Sequence, residues 1–222
     1  MTTAWRFRLL ALFIVVVVGL VSVANLVAEI SGSALPAFPA MGSKAPLPEQ
    51  VSSASLASAS APFRSDLKAD YALALMEQVL SSRSAEQSSN ESLAMAEDAI
   101  RDALKLGPHD SRLWLGLALV QSRSKPADPI LTESLKMSYL TGPNRPEIIP
   151  IRLQTVTANN SLNDADLSEL ARGDVRAMLS QRPEQRLTLV NDYLRASEAG
   201  KKFLEESTKA IDPGFFDIMR AK

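Results

Sequence analysis

The residue types that most often carry chemistry are scarce in this chain. Among 222 residues there is no cysteine and a single histidine, His109. Without cysteine there is no thiol nucleophile, no thiolate ligand for zinc and no disulfide. One histidine provides neither a metal-binding pair nor a Ser–His relay, and His109 follows Pro108 in what reads as an exposed inter-helix turn. The nine glycines are scattered, with no G-x-S-x-G elbow, phosphate loop or dinucleotide fingerprint among them. Asp164, Asp166 and Glu169 cluster, but with no glycine to shape a calcium loop they read as first-turn charges favouring a helix N-terminus. Glu91, Glu97 and Asp98, like Glu205 and Glu206, read as solvated helix faces. A carboxylate pair for glycoside hydrolysis is a spatial arrangement that spacing alone does not reveal. The expectation is a protein that is not an enzyme, with no catalytic, cofactor-binding or metal-binding residue assigned.

Contact chemistry remains. Trp114, between Leu113 and Leu117, reads as core. Phe215 and Phe216 are adjacent, and two neighbouring positions on a helix do not face the same core. One of them is expected at the surface or closing the end of a helical stack, so this pair is singled out as a partner contact. Lys201, Lys202 and Lys209 are interleaved with Glu198, Glu205 and Glu206, which weakens any claim of an anion-binding patch. A net charge of -1 argues against nucleic acid as a partner.

The elements that must position these residues begin with a membrane-type segment. Arg6 and Arg8 precede an apolar run from Leu9 to Ala28, interrupted only by Ser22 and Asn25. About 20 helical residues span about 30 Å, the thickness of a hydrocarbon core. Residues 9–28 are therefore expected in a lipid bilayer, with 1–30 forming a cytoplasmic stub and transmembrane helix. Ser22-Val23-Ala24 also fits a signal-peptidase site, which leaves release of the remainder as the alternative. In either case the positive-inside bias keeps Arg6 and Arg8 cytoplasmic and carries the C-terminal portion across. The location expected is a single pass through the inner (cell) membrane, with a domain that is periplasmic if the source is bacterial.

Residues 31–64 are rich in Ser, Ala and Pro without apolar periodicity, and read as a flexible linker with a span on the order of 30 Å. Residues 65–222 read as an all-α domain. Helical faces are carried by Ala72, Leu75, Met76, Val79 and Leu80, and then by Leu93, Ala96, Ile100, Ala103 and Leu104. Asp110 caps a helix bearing Leu113, Trp114, Leu117 and Val120, and Leu131, Leu135 and Ser138 lead to Gly142-Pro143. Further helices are expected near 147–158, 164–180 and 184–197, the last with Leu187, Val190 and Leu194 inward. Asp212-Pro213 opens a short final helix.

Ala96, Ile100, Ala103 and Pro108 have the offsets of the second helix of a tetratricopeptide repeat, and Trp114, Leu117 and Ala118 follow where the next unit places its aromatic, leucine and small residue. Leu131, Leu135, Ser138 and Pro143 repeat the second-helix pattern with one extra residue. Residues 66–143 thus resemble about two degenerate tetratricopeptide-like units, departing from the pattern at Gln121 and Leu131. The resemblance implies a protein-interaction scaffold without catalysis, built as a helical-hairpin stack; an irregular bundle is the alternative architecture. The function expected is a membrane-anchored adaptor for an unidentified protein partner in a cell-envelope system, for example polysaccharide assembly or export. A secreted helical binding module is the alternative.

Overall fold

The computed structural model of the chain describes residues 2–31, 38, 46–81, 90–126 and 129–220. Among these there are eleven α-helices and no strand. The first, α1 (Thr2–Ser31), is the apolar segment, and it is long because nothing in it breaks a helix. Its polar side chains turn back on the backbone. Ser22 Oγ donates to the Val18 carbonyl at 2.8 Å and Asn25 Nδ2 to the Val21 carbonyl at 2.9 Å, so each satisfies a donor within the helix.

The all-α body follows in short helices. These are α2 (Pro48–Ser60), α3 (Ser65–Ser81), α4 (Asn90–Leu106), α5 (Ser111–Ser124), α6 (Pro129–Thr141) and α7 (Ile149–Ala158). Then come α8 (Ala165–Arg176), α9 (Arg186–Arg195), α10 (Glu198–Ile211) and α11 (Pro213–Arg220). Proline at the first position of α2, α6 and α11 presets the helical φ at no cost in donors. Asp110, Asp164 and Ser197 cap α5, α8 and α10 by accepting from backbone N–H groups inside the first turn. Asp212 Oδ1 likewise accepts from the Phe215 N–H at 3.0 Å.

Helices α3 with α4, and α5 with α6, pack as consecutive hairpins, with α4 against α5 between them. Their facing residues, including Ala72, Met76, Ala96, Ile100, Ala103, Leu117, Ala118, Leu131 and Leu135, are buried in one continuous core. This core extends through Leu153, Val156, Leu167, Val175 and Leu204 to Met219. Gln121 and Ser134, polar residues at the α5–α6 seam, pair with each other at 2.9 Å. Two close approaches require glycine. A methyl group at Gly142 would collide with the Ser111 side chain, and one at Gly200 with the Thr157 carbonyl.

Three expectations need correction. Residues 31–64 do not read correctly as linker throughout: α2 lies within them, and Phe38 is buried in the main core. The inward face of α2 is Ala54, Ala57 and Ser58, small residues that allow close packing against α1 and α3 but produce little hydrophobic periodicity. In α9 the buried residues are Leu189, Val190 and Asp192, while Leu187 and Leu194 are 76% and 54% exposed. The helix is rotated from its expected facing, with Leu189 and Val190 packed inward and Asp192 carried in with them. Finally α10, with Phe203, Leu204, Ser207 and Thr208 inward, lies where only charged faces had been read. Residues 82–89, between α3 and α4, lie outside the described residues.

Candidate functional site

The most concentrated chemistry in the body is a buried ion pair. Arg152 on α7 is fully buried, and Asp174 on α8 is 2% exposed. Arg152 Nε donates to Asp174 Oδ2 at 2.9 Å and Nη2 to Oδ1 at 2.8 Å. Nη1 donates to the carbonyls of Ser138 and Gly142, each at 3.0 Å, and Nη2 to that of Pro143 at 3.3 Å. A guanidinium has five N–H donors, and these five contacts use all of them. The ring of Tyr139 covers the guanidinium, 3.8 Å from its centroid. Burial pushes the Asp174 carboxyl upward, and Arg152 pulls it part of the way back. The arrangement braces the C-terminal end of α6 and the turn after it, where the Ser138 carbonyl also accepts from the Gly142 N–H at 3.2 Å, and ties them to α7 and α8. With every donor used, it offers nothing to a ligand and reads as architecture.

Asp192 is different. It is 1% exposed, and neither carboxylate oxygen has a hydrogen-bond partner among the described residues. Burial pushes its carboxyl up to about 7, with Arg195 drawing it down only weakly. A buried carboxyl with no partner favours its neutral form.

The residues singled out for partner contact are separated by the fold. Phe215 is 7% exposed and belongs to the core. Phe216 packs on the outside of that core, with Lys209 and Arg220 both within 6 Å of its ring. Beside Phe215 lies Arg186, 5.6 Å from the ring centroid and bridged to Asp212 at 3.2 Å. The aliphatic side chains that reach solvent in this half are Leu187 and Leu194, seven residues apart on one face of α9, and Ile218 on α11, 58% exposed. Sequence reasoning did not single these residues out; Leu187 and Leu194 face outward on the side of α9 away from Leu189 and Asp192.

The other candidates occupy structural positions. His109 is exposed in the turn before α5. Trp114 is half-buried against the core, its Nε1–H donating to the Pro108 carbonyl at 2.8 Å. Asp164 caps α8 and accepts from Lys136 at 2.6 Å, with Asp166 3.6 Å from the same ammonium. Lys136, acting first through its hydrogen bond, holds the Asp164 carboxyl below its usual range. Lys201 pairs with Glu198 at 3.0 Å, and Glu205 accepts from the Tyr193 hydroxyl at 2.7 Å.

Arg152 and Asp174 left a signal. Both stand at the i+3 position of an apolar face, Arg152 among Ile149, Leu153 and Val156, and Asp174 among Ala171, Val175 and Met178. Opposite charges at inward positions of neighbouring helices mark a buried pair. No protein family, curated protein or solved structure matches the chain. The functional reading therefore rests on the residues themselves.

Proposed function

We propose that this chain is a membrane-anchored adaptor whose helical body, held outside the cytoplasm, makes protein–protein contacts and performs no chemistry of its own. The observation that carries the reading is α1. An 18-residue window within Trp5–Ile30 has a mean hydropathy of 2.8 and none of that window is buried in the protein, so its apolar surface has no cover except lipid. Arg6 and Arg8 at its start favour a cytoplasmic N-terminus. The hairpin order of α3 to α6 supports the tetratricopeptide-like reading of residues 66–143, and that kind of scaffold binds through side-chain surfaces rather than by catalysis. The exposed leucines of α9, with Ile218 and Phe216, are the side chains we assign to partner contact. An envelope machine such as one for polysaccharide assembly or export remains the setting we favour.

Crosslinking in intact membranes, before any detergent, tests the adaptor reading. One or a few reproducible protein adducts are expected, lost when Leu187 and Leu194 are both changed to serine. Recovery of the uncrosslinked chain alone would count against it. The alternative, a secreted binding module released after Ala24, is separated by N-terminal sequencing of the mature protein. The adaptor begins at Met1 or Thr2; a start at Asn25 establishes release.

A further inference from the structure

We propose that the α2–α3 corner, Ser60 to Arg64, enters the bilayer beside α1, so that the helical body is seated on the membrane surface rather than held away from it. The inference rests on the membrane reading of α1 and adds a second lipid-contacting element to it.

The corner lies against the last turns of α1. Ala28 of α1 is fully buried in a cluster with Ala57, Ala61 and Leu67. Arg64 Nη1 donates to Glu29 Oε2 at 3.0 Å, fastening the corner to the end of the apolar segment. Between them runs an open groove of about 370 Å³ lined by Val21, Ala24 and Asn25 on one side and by Ser60, Ala61, Pro62, Phe63 and Arg64 on the other.

Depth follows from length. The apolar segment Trp5–Ile30 has 26 residues, and a hydrocarbon core takes about 20 helical residues. Every 20-residue register within it contains residues 11–24, so Val21 and Ala24 lie in hydrocarbon whichever register is adopted. The side chains facing them across the groove are then at or below the boundary. Phe63 is 91% exposed, an aromatic ring with no protein cover beside a lipid-facing helix. Its occupant is therefore membrane lipid: acyl chains along Val21, Ala24, Pro62 and Phe63, with the Arg64–Glu29 pair at headgroup level.

The backbone of the corner is largely paired, as unpaired amides are costly in lipid. The Ala61 N–H donates to the Ala57 carbonyl at 3.2 Å and the Arg64 N–H to the Ala61 carbonyl at 3.0 Å, Pro62 has no N–H, and the Phe63 N–H alone in the corner has no backbone partner among the described residues. Ser60 Oγ donates to the Leu56 carbonyl at 2.8 Å.

The cysteine-free sequence permits a direct test on the full chain in vesicles of phosphatidylcholine and phosphatidylglycerol. Nitroxide labels are placed singly through Phe63→Cys, Val17→Cys and His109→Cys, and collision with oxygen is compared with collision with a water-soluble nickel chelate. Phe63 is almost fully exposed, so replacing it removes no packing. The label at 63 is expected to resemble that at 17, with chelate access about fivefold or more below that at 109, as hydrocarbon excludes the charged probe. If 17 is shielded and 63 is as open as 109, the corner inference is wrong and the membrane reading stands. If 17 is also open to the chelate, both fall.

Discussion

At the scale of single residues, the body is governed by charges placed where apolar side chains are expected. Arg152 has all its donors satisfied, so its removal does more than break an ion pair. Asp174 is left as an uncompensated buried charge, and the carbonyls of Ser138, Gly142 and Pro143 lose a donor. Arg152→Leu is expected to destabilise the body by about 3–5 kcal/mol in denaturant unfolding. The double variant Arg152→Leu/Asp174→Leu should lose less than the sum of the two single changes, because the second removes the stranded charge. Asp192 makes the opposite prediction. Folded, it holds a proton up to about pH 7; unfolded, only to about pH 4. Between those values unfolding releases a proton, so stability falls as pH rises through the window and levels off above it. Asp192→Asn should flatten that slope and gain about 1–3 kcal/mol at pH 8, read from urea midpoints across the pH range. Both features were partly legible, since each charge sits at the i+3 position of an apolar face. What the sequence did not supply was the partner. Asp174 meets Arg152 and Asp192 meets nothing, and that difference exists only once helices are packed.

At the scale of elements, legibility tracked side-chain size. Faces built from Leu, Ile and Val were read closely in α4, where all five expected residues are buried, and in part in α3, where Ala72, Met76 and Val79 are buried but Leu75 and Leu80 only partly. The alanine and serine face of α2 was not, because small residues pack closely without contributing the hydropathy that periodicity detects. The facing of α9 was misread for the reverse reason: its conspicuous leucines point outward and an aspartate points in. Close packing also explains Gly200. There α10 crosses the end of α7, where the Ser197 N–H and Oγ both donate to the Thr157 carbonyl, at 3.0 and 2.9 Å. Gly200→Ala drives a methyl group into that carbonyl. Despite the better helix propensity of alanine, it is expected to cost about 1–3 kcal/mol, while Gly173→Ala, which meets nothing, is expected to be neutral or slightly stabilising. Thermal unfolding of the two variants side by side separates space from propensity.

At the scale of the whole molecule there are two apolar clusters of unequal size. The main core runs from α3 to α11, and the small one of Ala28, Ala57, Ala61 and Leu67 joins α1 to α2 and α3. A chain beginning at Gly32 loses one wall of the small cluster and leaves the large one intact. Amide exchange over residues 48–60 should then accelerate by at least about tenfold, while the core helices α4 to α8 keep their protection. Uniform acceleration across the body would show that the two clusters unfold as one. An N-terminal apolar helix ahead of an all-α body was readable from composition and periodicity. The packing of anchor against body was not, because four mostly small side chains and one Arg64–Glu29 pair are too slight a pattern to stand out in sequence.

The burial of Phe38 sets the reach of the protein. Only seven residue steps separate Ser31, the last residue of α1, from a side chain fixed in the main core. A chain that short extends at most about 25 Å. With α1 in a bilayer, as proposed, the body is held close over the membrane surface, and a partner must come to it there. For a partner confined to the same surface, the two meet at effective concentrations in the millimolar range. An intrinsic affinity weak enough to vanish in dilute solution would still keep such a pair together in place.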